Sequence, residues 1–158
     1  MSDAPFSIFP SIFNDIDSYT KHLVHANIDK HGHPPKWLAS LSEAESYKNV
    51  GFLKWLDEKN GILLKGGPDA VFDGEEELFV GDYKTARYRD GQDHLLAQYK
   101  VQLLGYSFLL EQNGYEKPKR AALIYFQPPN DPTFQELLAR TEKTGMALPL
   151  TVEVVEIE

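Results

Sequence analysis

Two tight-turn signals, Asn60-Gly61 and Asp73-Gly74, restrict how the middle of this chain can fold. Asn-Gly and Asp-Gly pairs favour the two-residue turns of β-hairpins, because these residue types tolerate a positive φ. Three apolar segments flank the turns: residues 52–56, 62–72 and 78–84. Gly66-Gly67-Pro68 interrupts the second segment. The pattern predicts an antiparallel meander of three strands.

Segments with helical periodicity lie on both sides of this meander. Residues 10–24 have apolar side chains at steps of three and four, and residues 93–112 are apolar on most faces, so the second helix is expected to be largely buried. The rest of the chain predicts a strand, a short amphipathic helix and a last strand, at residues 120–126, 131–144 and 149–157. The order αβββαβαβ indicates an α/β fold, with a central mixed sheet flanked by helices.

Length and composition fit one domain without disulfides. A chain of 158 residues suits a single core, so we expect one domain over residues 1–158, with a leader at 1–9 and a core over about 10–158. The chain has no cysteine, which excludes disulfides, iron–sulfur clusters and thiolate zinc sites. Asp3 and the lack of a basic start argue against a signal peptide, and no apolar run approaches the ~20 residues that span a bilayer. We expect a cytoplasmic protein with no membrane partner.

The residues that point most directly to chemistry are Asp69, Asp82 and Lys84. Alternate residues of a strand share a face, so Asp82 and Lys84 point the same way and Tyr83 points the other way. Asp69 follows the Gly66-Gly67-Pro68 bend, and a hairpin would bring that bend beside Asp82. Two carboxylates and one ammonium group are therefore expected at one edge of the sheet.

Such a set suits metal-assisted phosphoryl chemistry. Carboxylate oxygens are the ligands that Mg²⁺ and Mn²⁺ prefer. A metal of this kind polarises a phosphoryl oxygen and lowers the pKa of bound water. Lys84 would orient that water or offset negative charge in the transition state. The alternative is that Asp82 and Lys84 form a surface ion pair on an edge strand and that Asp69 is only a turn residue.

Polar residues also follow the predicted site along the chain. Gln98, Gln102 and Tyr106 are four residues apart and form one stripe on an otherwise apolar helix. Such a stripe faces a cavity or a partner, unless the glutamines merely cap backbone groups in the core. Arg87 and Arg89 come shortly after the predicted strand and either grip phosphates or are solvated loop charges.

Three motifs occur in an order that resembles the PD-(D/E)XK nuclease superfamily, most closely its RecB-like branch, which includes the CRISPR-associated exonucleases. They are Gly67-Pro68-Asp69, Asp82-Tyr83-Lys84-Thr85 and Gln102-Leu103-Leu104-Gly105-Tyr106. The resemblance implies a restriction-endonuclease-like core. The chain lacks the cysteines of the iron–sulfur members of the family. It covers residues 61–126 clearly and residues 10–30 only in outline.

The resemblance also implies a role for each matching residue. Asp69 and Asp82 would bind the divalent metal, Mg²⁺ or Mn²⁺, with the backbone carbonyl of Tyr83 completing the shell. Lys84 would be the catalytic lysine. Gln102 and Tyr106 would contact nucleic acid or steady the catalytic groups, and Arg87 is a further candidate for binding nucleic acid.

The first helix of the family carries a His or Glu as a further metal ligand, and the match here is open. Asp17 is the first choice, with His22 and His25 as alternatives. These two histidines also lie near His31 and His33, but the irregular spacing of the four makes zinc a weaker alternative.

These residues predict a metal-dependent deoxyribonuclease that acts on single-stranded DNA or duplex ends, with exonuclease-like action. The net charge of −8 argues against broad adhesion to nucleic acid through a basic surface, so a partner protein that supplies substrate affinity is a further expectation. Two alternatives stay open. One is a catalytically weak module of the same fold that binds nucleic acid or a partner, and the other is a metal-dependent phosphoesterase for small nucleotides.

Overall fold

The computed structural model describes residues 11–41, 43–74, 77–89, 93–127 and 150–157. Two helices and seven strands lie in these ranges, with one 3₁₀ segment at Lys36–Leu41. In chain order they are α1 (Ser11–His31), β1 (Ala44–Tyr47), β2 (Leu53–Asp57), β3 (Ile62–Gly66), β4 (Ala70–Gly74), β5 (Leu78–Lys84), α2 (Asp93–Gln112), β6 (Arg120–Gln127) and β7 (Thr151–Glu156).

Five strands form a mixed sheet in the order β1-β4-β5-β6-β7. The pair β5 and β6 is parallel and the other neighbours are antiparallel. Helix α2 connects the two parallel strands, as such a crossover requires. The α/β class with a central mixed sheet and helices is therefore confirmed.

The predicted pairing of the meander is wrong in its first part. Residues 62–72 are not one interrupted strand: β3 pairs with β2 in a separate two-stranded sheet, and β4 pairs with β5 and β1. The break has a local cause, because Pro68 has no amide hydrogen for a ladder. Gly67 allows the backbone to pass close to Gly51, since a Cβ at this position would lie 3.3 Å from the carbonyl oxygen of Gly51. The hairpin of β2 and β3 does form, but Asp57 pairs with Ile62, so Asn60-Gly61 is the second half of a four-residue connection, with φ of 65° at Gly61, and not a two-residue turn.

Two hydrophobic clusters fill the space on either side of the main sheet. Val24 and Ile28 of α1 pack in the first cluster, and Leu103, Leu109 and Leu110 of α2 pack in the second. The expectation that α2 is largely buried is only half right, since its outer face carries two exposed apolar side chains, Val101 at 70% and Leu104 at 61%.

Some of the sequence expectations lie outside the described residues. These are the leader at 1–9, the first residue of the helix expected at 10–24, and the amphipathic helix at 131–144. Helix α1 runs on to His31, seven residues beyond its expected end. In the described part of the chain, no helix has the length and apolar character needed to cross a membrane.

Candidate active site

The predicted catalytic side chains meet where β5 ends. Asp82 and Lys84 lie on the face of β5 that is covered by α2, and the Lys84 ammonium forms an ion pair with Oδ2 of Asp82. Tyr83 points the other way into the cluster under α1, as strand alternation predicts. Asp69 sits at the bend before β4, where its Oδ2 accepts a hydrogen bond of 3.1 Å from the backbone N–H of Tyr83. The structure thus brings both carboxylates and the lysine to one edge of the sheet.

Asp82 is the most deeply buried charged residue of this group, with 2% of its surface exposed. Its Oδ1 accepts a hydrogen bond of 3.2 Å from the Gln102 amide. Its Oδ2 contacts Lys84 but accepts no well-aligned hydrogen bond from any described residue. Burial raises the pKa of Asp82 to about 6, although Lys84 lowers it, and the nearby charge of Asp69 raises it further. The ionised carboxylate is therefore poorly compensated.

Lys84 is held by three neighbours. Besides its ion pair with Asp82, its Nζ donates a hydrogen bond of 3.3 Å to the side-chain oxygen of Gln102. The same ammonium lies 4.3 Å from the ring centroid of Tyr99, which is a cation–π distance. These contacts fix the charge of Lys84 beside the carboxylate.

Gln102 links the catalytic side chains to the rest of α2. Its amide nitrogen donates to Asp82 and also, at 2.7 Å, to the hydroxyl of Tyr106. Gln102 therefore bonds side chains of the site, and the alternative that it caps backbone groups in the core is wrong. The ring of Tyr106 lies over Gly66, where an added Cβ would be 3.0 Å from it. The third member of the predicted stripe, Gln98, is exposed.

Helix α1 contributes a lysine that the sequence analysis missed. Lys21 Nζ donates a hydrogen bond of 2.7 Å to Oδ1 of Asp69 and lies 3.1 Å from Oδ2 of Asp17. Burial lowers the pKa of Lys21, but the two carboxylates outweigh this effect and the net shift is upward. The spacing of Asp17 and Lys21, one helical turn apart, was the available signal.

Of the three candidates for the further metal ligand on α1, Asp17 is the one that lines the cleft at the site. His22 is exposed, with Nδ1 2.7 Å from the carbonyl oxygen of Ser18. His25 stacks on Tyr47 of β1, with ring centroids 3.8 Å apart. Burial lowers the pKa of His25. The structure therefore does not bring either histidine to Asp69.

A cleft of about 370 Å³ opens over the site between α1 and the end of β5. Its walls include Asp17, Asp69, Lys84 and Tyr99, together with the start of the segment after β5. Arg87 and Arg89 are exposed on that same segment. The cleft thus places carboxylates, a lysine and a ring against one solvent-accessible space.

The donor set fits a divalent cation in part. Asp82 offers a buried carboxylate oxygen, Oδ2, that pairs with Lys84 but accepts no well-aligned hydrogen bond from the described residues, and a hard cation compensates such an oxygen well. Asp69 lies close enough to raise the pKa of Asp82. However, no three His, Asp or Glu side chains in the described ranges are gathered into a ready-made metal cage, the histidines at 22, 25, 31 and 33 included. Binding would therefore require some rearrangement around the carboxylates.

Comparison with known families identifies one match. The family model described as the PD-(D/E)XK nuclease superfamily matches residues 17–153, well over half of the 158 residues. No curated protein matches the chain significantly. The resemblance to this superfamily is thereby confirmed, while the RecB-like branch stays a prediction. Enzymes of this superfamily generally use divalent metals such as Mg²⁺.

Proposed function

We propose that this chain, which belongs to the PD-(D/E)XK nuclease superfamily, is a metal-dependent deoxyribonuclease that hydrolyses phosphodiester bonds in the cleft at the end of β5. Superfamily membership indicates a nuclease. The observation that carries the proposal for this site is the buried Asp82 carboxylate, whose Oδ2 forms the ion pair with Lys84 but accepts no well-aligned hydrogen bond from any described residue. A purely structural ion pair would not need such an arrangement beside an open cleft.

The metal would be Mg²⁺ or Mn²⁺, held by the carboxylates of Asp69 and Asp82. The backbone carbonyl of Tyr83 and the carboxylate of Asp17 are the further ligands that we propose. When bound, the metal supplies Lewis acidity to the phosphoryl oxygen and acidifies a water molecule. All of these donors are oxygen atoms, which suits a hard cation better than zinc.

Lys84 would act on the water that attacks phosphorus. Its ammonium stands beside Asp82 and is held there by Gln102 and Tyr99, so its position needs little adjustment when substrate arrives. A fixed positive charge at this place offsets the negative charge that develops on the phosphoryl group. Through its bonds to both catalytic side chains, Gln102 would be a positioning residue, with Tyr106 supporting it.

Two basic residues lie on the hairpin that packs against Tyr106 of the site. Leu53, Trp55 and Leu64 of the β2–β3 hairpin face the cluster under α2, so Lys54 and Lys65 face solvent. These lysines are cross-strand partners one residue from Gly66, which packs against Tyr106 of the site. In a chain with a net charge of −8, this local pair supports a polymeric substrate over a small nucleotide.

Arg87 would contact a phosphate at the mouth of the cleft, since it follows directly on the lining residues Thr85 and Ala86. Exonuclease-like action on single strands or duplex ends is the mode that the RecB-like motifs favour. The acidic net charge supports a second candidate, a module of the same fold whose binding or cutting of DNA depends on a partner protein.

The test is cleavage of end-labelled single-stranded DNA, duplex DNA and RNA with Mg²⁺, Mn²⁺ or EDTA. We expect metal-dependent cutting of DNA, and a loss of at least about 100-fold in Lys84→Ala. Lys48→Ala is the matched control, because Lys48 pairs with Asp73 outside the cleft. Full activity in Lys84→Ala would overturn the proposed site, and cutting of RNA alone would overturn the DNA substrate. If the folded wild type binds metal but cuts nothing, the partner-dependent module replaces the enzyme.

A further inference from the structure

We propose that Lys21 is a built-in competitor of the metal: its ammonium holds Asp17 and Asp69 together in the metal-free protein and must be displaced when a divalent cation binds. This inference rests on the proposed function, because it concerns the same metal site. It goes further by assigning a role to a residue that none of the three motifs contains. Lys21 would set how much divalent cation the enzyme needs.

The occupancy of the Asp69 oxygens carries the argument. Oδ1 accepts a hydrogen bond of 2.7 Å from Lys21, and Oδ2 accepts one of 3.1 Å from the backbone N–H of Tyr83. Both oxygens are thus engaged before any metal arrives. A cation that binds Asp69 must share or replace one of these donors.

The two donors differ in how easily they move. The N–H of Tyr83 belongs to β5, the central strand of the sheet, and is fixed by the strand backbone. Lys21 is a long side chain on the surface of α1 with 27% of it exposed, so it can swing into solvent. Lys21 is therefore the donor that leaves.

Release of Lys21 would free a second carboxylate at the same time. Its ammonium lies 3.1 Å from Oδ2 of Asp17, which also lines the cleft. One lysine thus neutralises both the proposed ligand on α1 and the one at the bend before β4. A divalent cation carries twice the charge of the ammonium and is favoured in the exchange.

Lys84 is held more firmly than Lys21. Its ammonium pairs with Asp82, but the Tyr99 ring and Gln102 also hold it, and only 17% of its side chain is exposed. Lys84 has three kinds of contact to lose, whereas the contacts of Lys21 at this site are the two carboxylates themselves. Lys21 is therefore displaced from its carboxylates when the cation binds, whereas Lys84 keeps its position beside Asp82.

The test is calorimetric titration of Mn²⁺ into the full chain without DNA. Lys21→Met keeps the length of the side chain and removes its charge, and we expect it to bind Mn²⁺ about fivefold more tightly than the wild type, since an ion pair of this exposure is worth about 1 kcal/mol. Lys21→Arg keeps the charge and should bind Mn²⁺ like the wild type. Lys48→Met, which breaks the exposed pair with Asp73, is the matched control and should change nothing.

Each outcome decides between the two ideas. Tighter binding in Lys21→Met alone supports competition, as does binding by this variant when the wild type shows none. Equal or weaker binding in a folded Lys21→Met, as judged by circular dichroism, overturns the inference and leaves the metal centre standing. If neither protein binds Mn²⁺, the metal centre of the proposed function fails as well. If Lys21→Met does not fold, Lys21→Gln provides the same comparison.

Discussion

Replacing Asp82 by asparagine is expected to stabilise the metal-free protein at neutral pH, although it removes a residue of the site. The carboxyl is 2% exposed, and burial raises its pKa from an ordinary 3.8 to about 6 even though Lys84 pulls the pKa down. The net upward shift means that ionisation of this group opposes folding. A neutral amide of the same shape does not incur that cost.

The size of the effect follows from proton linkage. Below pH 3.8 the carboxyl is protonated in both folded and unfolded chains and costs nothing. Between pH 3.8 and 6 the unfolded chain loses the proton first, so stability falls as the pH rises; above pH 6 the loss is complete. A difference of one pKa unit is worth about 1.4 kcal/mol, so the full cost at pH 8 is about 3 kcal/mol.

The assay is urea denaturation in EDTA at pH 4 and pH 8. We expect Asp82→Asn to raise the free energy of unfolding by about 2 to 3 kcal/mol at pH 8 and by much less at pH 4. Asp73→Asn is the control, because its half-exposed ion pair with Lys48 predicts a small loss of less than about 1 kcal/mol. A variant Asp82→Asn that is destabilised at pH 8, or equally affected at both pH values, would refute the argument from burial.

Three other variants test the residues around the site. Gly66→Ala places a Cβ 3.0 Å from the ring of Tyr106, and we expect about tenfold slower cleavage with an unchanged circular dichroism spectrum. Gln102→Ala removes the bonds to both catalytic side chains, and single-turnover kinetics should show a rate reduced about 10- to 100-fold with a small change in KM; a change confined to KM would contradict a positioning role. The double variant Lys54→Glu/Lys65→Glu should bind DNA more weakly in fluorescence anisotropy titrations. The slope of log K against log salt concentration should decrease in magnitude by about two, and an unchanged slope would show that the hairpin does not contact DNA.

Local periodicity was enough to predict the centre of the site. Asp82 and Lys84 are two residues apart on a strand and share a face for that reason alone, and Tyr83 packs on the opposite face as expected. Gln102 and Tyr106 are four residues apart on a helix and contact each other for an equally local reason. These contacts depend only on the regular geometry of a strand or a helix, so the spacing of the residues in the sequence is enough to predict them.

The strand pairing could not be predicted in the same way. β1 is four residues long with a single buried position and no alternating apolar pattern, yet it pairs with β4. β3 lies closer to β4 in sequence and carries more apolar residues, yet it pairs with β2. The bend at Gly67 and Pro68 separates β3 from β4, and the close approach of Gly67 to Gly51 that accompanies it is visible only in three dimensions.

The two lysines of the site differ in the same way in whether the sequence predicts their contacts, and together they contribute to the charge of the site. Lys84 is two residues from its carboxylate, but Lys21 is 48 residues from Asp69, so only the packing of α1 against the sheet brings the second pair together. With the carboxylates ionised, three aspartates at residues 17, 69 and 82 face these two lysines, which leaves the metal-free site with one excess negative charge that repels a phosphodiester. A divalent cation that displaces Lys21 removes this excess, because the three carboxylates are then balanced by Lys84 and the cation, and the cation itself attracts the phosphodiester. An acidic chain with this site is therefore expected to hold DNA in its cleft only after the metal has bound, so EDTA should weaken DNA binding by the wild type and not merely stop cleavage.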